Sequence, residues 1–345
     1  MTSILAVMRR LWIACLPWLA ACGFRSPAGE PADASLCFDG FTRVCLQALP
    51  AMQRVIASNM ELDTADGCET TTMGTAAGVC VIAAMAIEVR SGATLRAIGS
   101  RPLVLLATSS IVVAGTLDAA SHRGSAAGSG ASPAAGCGSG TAPTLAGGSG
   151  GGGYGGTFAT VGGDGGESVG RGAKGVASTT VELPTSLRGG CPGIAGASTN
   201  PGAGGAGGGA VELIAASIVV SGRVNASGAG GEAGTLNDSG GGGGGSGGMI
   251  VFDAPMLEVT GTMMVQGGGG GGGSGGVGAG TPGADPTEAG VGAAPGDGYH
   301  AGGGTGGAGG TGAIAADAGD GQAGNLIGGG GGGGGAGIVR SSAPG

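Results

Sequence analysis

Short blocks in which apolar and polar residues alternate recur along the chain, and they align with one another. Leu103, Leu105, Ala107, Ile111, Val113, Gly115, Leu117 and Ala119 form one copy. Val211, Leu213, Ala215, Ile218, Val220, Gly222, Val224 and Ala226 form a second, and Ile250, Phe252, Ala254, Leu257, Val259, Gly261, Met263 and Val265 a third. An earlier copy, with small insertions, runs through Val79, Val81, Ala83, Ile87, Val89, Gly92, Leu95 and Ala97, and Ile338-Val339-Arg340 begins a fifth. Within each copy the apolar positions are separated by Glu, Asp, Thr, Ser or Arg, the period of two of a strand with one buried face. The glycine inside each copy marks a corner, because glycine adopts backbone conformations closed to other residues. Each copy therefore predicts two or three short strands joined by tight bends. Ile87 and Ile111 are 24 residues apart, about the length of one solenoid turn. One such layer cannot bury its inward face alone, whereas stacked layers can. The expected fold class is all-β, a parallel β-helix or β-solenoid, with a β-sandwich built from hairpins as the alternative.

Between the copies lie long glycine-rich excursions at 120–210, 227–249 and 266–337, with runs such as Gly240–Gly245, Gly267–Gly273 and Gly328–Gly335. Glycine supplies 91 of the 345 residues and only nine are aromatic, so few large side chains remain for a broad core. Glycine runs consecutively instead of recurring every third residue, which excludes collagen. Two readings of the excursions stand side by side. They are flexible linkers, or they are extended polyglycine helices packed side by side, their amides bonded to neighbouring carbonyls at a distance only glycine permits. Three runs end directly in an aliphatic block, at Val211, Ile250 and Ile338, a regularity that random linkers do not require.

The amino terminus carries a different signal. Arg9-Arg10 precedes the apolar stretch Leu11–Trp18, and Leu19-Ala20-Ala21-Cys22-Gly23 follows. A basic segment, a short apolar segment and small residues before a cleavage point make a secretory signal, too short to span a bilayer as a stable anchor. Leu-Ala-Ala-Cys resembles the bacterial lipobox, which implies lipidation of Cys22 after removal of residues 1–21; an ordinary secretory signal with a chance cysteine is the alternative. Met8-Arg9-Arg10 would start a complete signal by itself, so residues 1–7 read as an over-extended start. Gly23, where an aspartate would otherwise follow the cysteine, implies transfer to the outer membrane in a Gram-negative cell. The protein is expected to be exported and held to a membrane through the lipid on Cys22, with surface exposure open.

Export sets the cysteine chemistry. Once Cys15 leaves with the signal and Cys22 is acylated, Cys37, Cys45, Cys68, Cys80, Cys137 and Cys191 remain, an even set in an oxidising compartment. Fifteen pairings are possible. Neighbour pairing, Cys37 with Cys45, Cys68 with Cys80 and Cys137 with Cys191, is preferred because each pair closes one loop without crossing another. A zinc site fails on spacing, since there is no CxxC and His122 and His300 lie far from any cysteine cluster. Residues 22–78 hold Phe38, Phe41 and the segment Val44–Met60 and read as a disulfide-closed amino-terminal cap with one short helix near 45–60. The glycine-rich repeat domain then runs over 79–345.

A search for chemistry returns little. The net charge is −8 and Lys174 is the only lysine, so nothing here would compete for a phosphate backbone and nucleic acid is not an expected partner. GxGxxG matches follow from composition alone, and two distant histidines without a nucleophile elbow offer no catalytic arrangement. A lone histidine in such a chain reads as a surface loop residue. Asp63 and Asp66, Asp164, and Asp317 and Asp320 are loop carboxylates beside glycine that would suit calcium. None has the spacing of a known calcium loop, so solvated turns are the reading. Asp118 and Asp253 lie in or near the repeat but at different positions of it, and no carboxylate pair can be inferred. No catalytic residue, metal or cofactor is expected.

The stretch Gly92–Asp118, with the lipobox and the junctions from polyglycine into strand, resembles uncharacterised glycine-rich envelope lipoproteins of myxobacteria and their relatives. The resemblance covers about half the chain and implies location and architecture, with no activity or catalytic residues to transfer. The expected function is that of a non-enzymatic envelope or surface lipoprotein, structural or adhesive, facing an extracellular polysaccharide or another cell. The alternatives are a β-helix polysaccharide lyase or hydrolase, which requires carboxylates converging on one face, and an ice-binding-like polyglycine bundle.

Overall fold

A computed structural model describes residues 36–68, 78–168, 172–181, 183–299, 302–312, 314–321 and 328–342. The signal segment, Cys22 and His300 lie outside them. The described residues are all-β and contain no helix. Leu36–Phe38 (β1) and Val44–Leu46 (β2) form an antiparallel hairpin. Arg54–Ile56 (β3), Met60–Asp63 (β4), Cys80–Val89 (β5), Thr94–Ile98 (β6), Leu103–Val113 (β7) and Thr116–Asp118 (β8) follow. A second small hairpin, Leu145–Ala146 (β9) with Ser149–Gly150 (β10), lies in the first excursion. Ala210–Ile214 (β11), Ser217–Val220 (β12), Arg223–Asn225 (β13), Met249–Asp253 (β14), Met256–Val259 (β15), Thr262–Met264 (β16) and Ile338–Ser342 (β17) complete the order.

Pairing in the two large sheets is parallel throughout, which hairpins of a sandwich would not give. The strands stack in three ladders. The first holds Cys80–Ala84 of β5, the first half of β7, β11, β14 and β17. The second holds β3, the later halves of β5 and β7, β12 and β15. The third holds β4, β6, β8, β13 and β16. Like residues stack on like, as the aligned copies predict: Leu105 pairs with Leu213 and Leu213 with Phe252, Ile111 with Ile218 and Ile218 with Leu257, Leu117 with Val224 and Val224 with Met263. Side chains from all three ladders share one core, and Ile87, Leu105, Ile111, Leu117, Leu213, Ile218 and Val224 are at most 2% exposed. Burial of each such side chain contributes about 1.5–3 kcal/mol.

Three expectations need correction. In the earliest copy the inward residues of the first ladder are Cys80, Ile82 and Ala84, opposite Leu103, Leu105 and Ala107, not Val79, Val81 and Ala83. Between Ala84 and Ala86 the register shifts, with Met85 alone opposite Thr108 and Ser109 of β7, and Ile87 falls opposite Ile111; that one-residue difference in spacing between the copies moves the whole preceding segment to the other face. Second, the first ladder is buried on both faces. Val81, Val104, Leu106, Ile214 and Val251 point away from the core into a second cluster with Val44, Leu46, Phe158 and Leu187. Third, no helix occupies 45–60. That segment gives β2, β3 and the start of β4, and β3 and β4 are themselves a layer of the ladders. The β1–β2 hairpin covers the side of the first ladder, where Thr42 meets Glu212 of β11 and Phe41 meets Asp253 of β14.

The glycine runs form an ordered array. Gly240, Gly241 and Gly242 donate N–H bonds to three different neighbours, the carbonyls of Ala197, Gly329 and Glu232, and Gly243, Gly244 and Gly245 repeat the cycle to Ile194, Gly332 and Ala229, all at 2.8–3.1 Å. The same run accepts on the same period of three, from Gly202 and Gly205, from Gly153 and Gly156, and from Gly268 and Gly271. Six extended segments therefore surround Gly240–Gly245, and every face is closed by backbone. A Cβ on Gly243 would stand 1.9 Å from the Tyr154 carbonyl oxygen, so only glycine fits. Segments at the rim relax this demand. In 202–208, Ala203 and Ala206 take every third position and reach solvent, while Gly202, Gly205 and Gly208 are buried.

The disulfides join Cys37 to Cys45 across the hairpin, Cys68 to Cys80 between the layer of β3–β4 and the next, and Cys137 to Cys191 within the first excursion. Each of these six cysteines is joined to its neighbour among them.

Candidate functional site

Two polar clusters on the ladders hold the carboxylates that the sequence singles out, and the ladders keep them apart. Asp253 ends β14 on the outer face of the first ladder. Because β11 and β14 pair with Ile214 opposite Asp253, Glu212 lies two positions back on the neighbouring strand and on the same face, close enough for a diagonal contact. The repeat does not reveal this pair, because Glu212 and Asp253 occupy different positions of their copies.

The β1–β2 turn closes over both acids. Phe41 N–H donates to Asp253 Oδ2 at 2.8 Å and Thr42 N–H to Glu212 Oε1 at 2.9 Å. Gly40 makes this approach possible, since a Cβ there would lie 2.7 Å from Asp253 Oδ2 and 2.8 Å from Glu212 Oε1. Arg340 of β17 stacks over the Phe41 ring at 4.7 Å, and Arg43 pairs with Asp39 at 3.2 Å at the base of the turn. Glu212 is fully buried and Asp253 is 7% exposed. Burial first, and then the hydrogen bond with Asp253, hold the Glu212 carboxyl well above the ordinary carboxylate range, against the opposing effect of Thr42. Glu212 Oε2 and Asp253 Oδ1 receive no donor from the rest of the described residues, and the raised Glu212 carboxyl keeps its proton beside Asp253. Two bare carboxylates buried side by side would repel at high cost. Beside the pair runs an open groove of about 520 Å³, lined by Phe38, Asp39, Ala107, Ala215, Asp253 and Ser342 among others.

Asp118 ends β8 on the third ladder and serves a different contact. Its Oδ2 lies 2.9 Å from His122 Nε2, and its Oδ1 accepts from Ala120 N–H at 3.2 Å. The other ring nitrogen of His122 faces Asp285 Oδ2 at 3.7 Å. Asp285 in turn accepts N–H bonds from Gly230 at 2.8 Å and Arg123 at 3.0 Å. Hydrogen bonds to Asp118 and then to Asp285 raise the His122 pKa to about 9, overcoming burial, so the ring carries a proton at neutral pH between two carboxylates. His122 is thus a half-buried clamp and not the surface loop residue expected. It ties the end of β8 to the 280–285 segment of the glycine array. The Asp118-x-x-x-His122 spacing was the one local signal of this contact; Asp285 and Glu212 had none.

The loop carboxylates are dispersed. Asp63 caps its own turn by accepting Ala65 N–H at 2.8 Å, and Asp164 accepts Ala177 N–H at 2.9 Å and pairs with Lys174 at 3.0 Å. Asp66, Asp317 and Asp320 are exposed. Among the described residues no group of three or more His, Cys, Asp or Glu is placed to hold a metal ion. Comparison of the chain with protein-family models, with curated proteins and with solved structures gives no match.

Proposed function

We propose that this chain is a non-enzymatic, lipid-anchored protein of the bacterial cell envelope, with a structural or adhesive role toward an extracellular polysaccharide or another cell surface. Leu19-Ala20-Ala21-Cys22 supports the anchor, and three disulfides among the described residues suit an oxidising compartment. Three parallel ladders around one core read as a parallel β-helix. The period of three in the array, with no positive φ across Gly240–Gly245, reads as packed polyglycine II helices. Such a body is held along its length by backbone hydrogen bonds, which suits a stiff spacer with an acidic surface.

The observation that carries this reading is the use made of the ladder carboxylates. Asp118 holds His122, and Glu212 and Asp253 hold the hairpin. Each is committed to tying one part of the scaffold to another. The test is labelling with radioactive palmitate in wild type and Cys22→Ala, followed by proteinase treatment of intact cells and immunoblotting. Label that depends on Cys22, with rapid digestion from outside, is the expected result. Protection until the outer membrane is opened would end the surface-binding reading and leave a periplasmic structural role.

A second reading, a polysaccharide lyase or hydrolase of β-helix type, is favoured by one observation: Glu212 and Asp253 converge on one outer face beside the 520 Å³ groove. Cleavage of envelope polysaccharide by the wild-type chain, lost in Asp253→Asn, would put this reading in place of the first.

A further inference from the structure

The three ladders do not end together. Among the described residues, β3 and β4 stand one layer beyond β5 of the first ladder at one end. At the other end β17 stands one layer beyond β15 and β16. One end thus carries a second and a third side without a first, and the other a first side without a second and third.

Among the described residues the core rows are uncovered beyond β15 and β16, while at the opposite end Ile56 of β3 is 5% exposed and the β4 row is only half-covered. Ile87, Ile111 and Ile218 are at most 1% exposed, whereas Leu257, next in the same row, is 39% exposed. Val89, Val113 and Val220 are fully buried, but Val259 is only half-buried. Leu117 and Val224 are fully buried, and Met263 is not. At the opposite end Met60 and Leu62 are likewise half-buried. A strand edge with an apolar row beneath it is a template for one more strand.

The chain's own opposite end has the required pattern. Ile56 pairs with Val89 and so belongs to the row that ends at Val259; Met60 pairs with Leu95 and belongs to the row that ends at Met263. Carrying the register across a joint sets Ile56 beside Val259 and Met60 beside Met263. Arg54 falls beside Leu257, where its aliphatic stem covers apolar surface. Like charges do not confront each other, since Glu258 falls beside Val55 and Glu61 beside Met264.

We propose that the β15–β16 edge of one molecule pairs, parallel and in register, with the β3–β4 edge of a second copy, so that molecules stack head to tail. At the joint, β17 of the first copy supplies the first side of the layer whose second and third sides are β3 and β4 of the next. The opposite end of this chain matches both edges and the missing side at once, whereas a single extended peptide would meet one edge. The contact is heterologous and open, so it propagates into a fibre. It does not depend on the anchor or on an adhesive role.

The test places a photo-crosslinking amino acid at Met263 of the full-length chain, and separately at Met256, which is 62% exposed, with irradiation in envelopes and after detergent extraction. The expected products have two or more times the monomer mass, with the cross-linked peptide mapping to residues 54–63 of another copy. Leu257→Lys should lower their yield at least tenfold while the disulfides and protease resistance of each molecule stay as in wild type. Cross-links confined to one molecule, cross-links to a different protein, or a yield indifferent to Leu257→Lys would each overturn the proposal.

Discussion

The carboxyls of Glu212 and Asp253, two positions apart on the parallel strands β11 and β14, share one outer face and together hold the backbone of the β1–β2 turn at Phe41 and Thr42. Asp253 is separated from Phe41 by 212 residues, so the contact fastens the start of the described chain to the middle of the ladder. It also buries two acids side by side, a cost relieved while Glu212 keeps its proton.

The pH dependence of that fastening follows. The folded Glu212 carboxyl titrates above its ordinary value of 4.5, so the folded chain keeps a proton that the unfolded chain has lost. This contribution is fully present below the unfolded value and is lost as pH rises through the raised folded one. Hydrogen exchange at the Phe41 and Thr42 amides should therefore accelerate, beyond its intrinsic pH trend, between mildly acidic and mildly alkaline pH. Glu212→Gln, which keeps the shape and needs no proton, should flatten that change.

His122 gives the same sign from a different cause. Its folded pKa of about 9 exceeds the ordinary 6.5, so its stabilisation is complete below 6.5 and disappears as pH rises through 9. His122→Ala should cost on the order of 1–2 kcal/mol at pH 6 and almost nothing well above pH 9. Thermal unfolding of the two chains across this range is the measurement. A gap that stays constant with pH would show that the ring acts by packing alone.

The glycine array makes a sharp distinction among glycines. Gly243→Ala would drive a Cβ to 1.9 Å from the Tyr154 oxygen in a segment closed on all faces. It should cost at least about 3 kcal/mol or prevent accumulation of folded protein. Gly276→Ala meets its nearest neighbour, Asp238 Oδ1, at 3.8 Å and should stay within about 0.5 kcal/mol of wild type. Equal effects at the two sites, read by unfolding temperature, would refute close packing of the array.

The disulfides should differ in weight. Cys137–Cys191 closes a loop of 54 residues and Cys37–Cys45 one of 8. Loop-closure entropy alone assigns about 4 kcal/mol to the longer and about 2.5 kcal/mol to the shorter. Denaturant unfolding of the Cys137→Ser/Cys191→Ser and Cys37→Ser/Cys45→Ser variants should give that order.

What the sequence determined by itself is periodic. Rows such as Ile111, Ile218 and Leu257 align on their residues alone, because a strand that buries one face writes its period of two into the chain and a stacked layer repeats it. The order of the glycine runs was half-legible: their entry into Val211, Ile250 and Ile338 hinted at it, but an unbroken run has no side chains to say which segment lies beside which. The inward row of the first ladder was legible in three copies and was misread by one residue only in the earliest, because β7 carries one residue more than β5, with Thr108 and Ser109 opposite Met85. The burial of its outer face escaped because Leu103–Leu106 is apolar on both faces, so no alternation marks a second core. The tertiary structure alone decided the rest. Glu212 meets Asp253 and His122 meets Asp285 across long stretches of chain, through strand register and array packing. No local pattern records which distant residue a folded backbone brings into contact, because a hydrogen bond depends on separation in space and not along the chain.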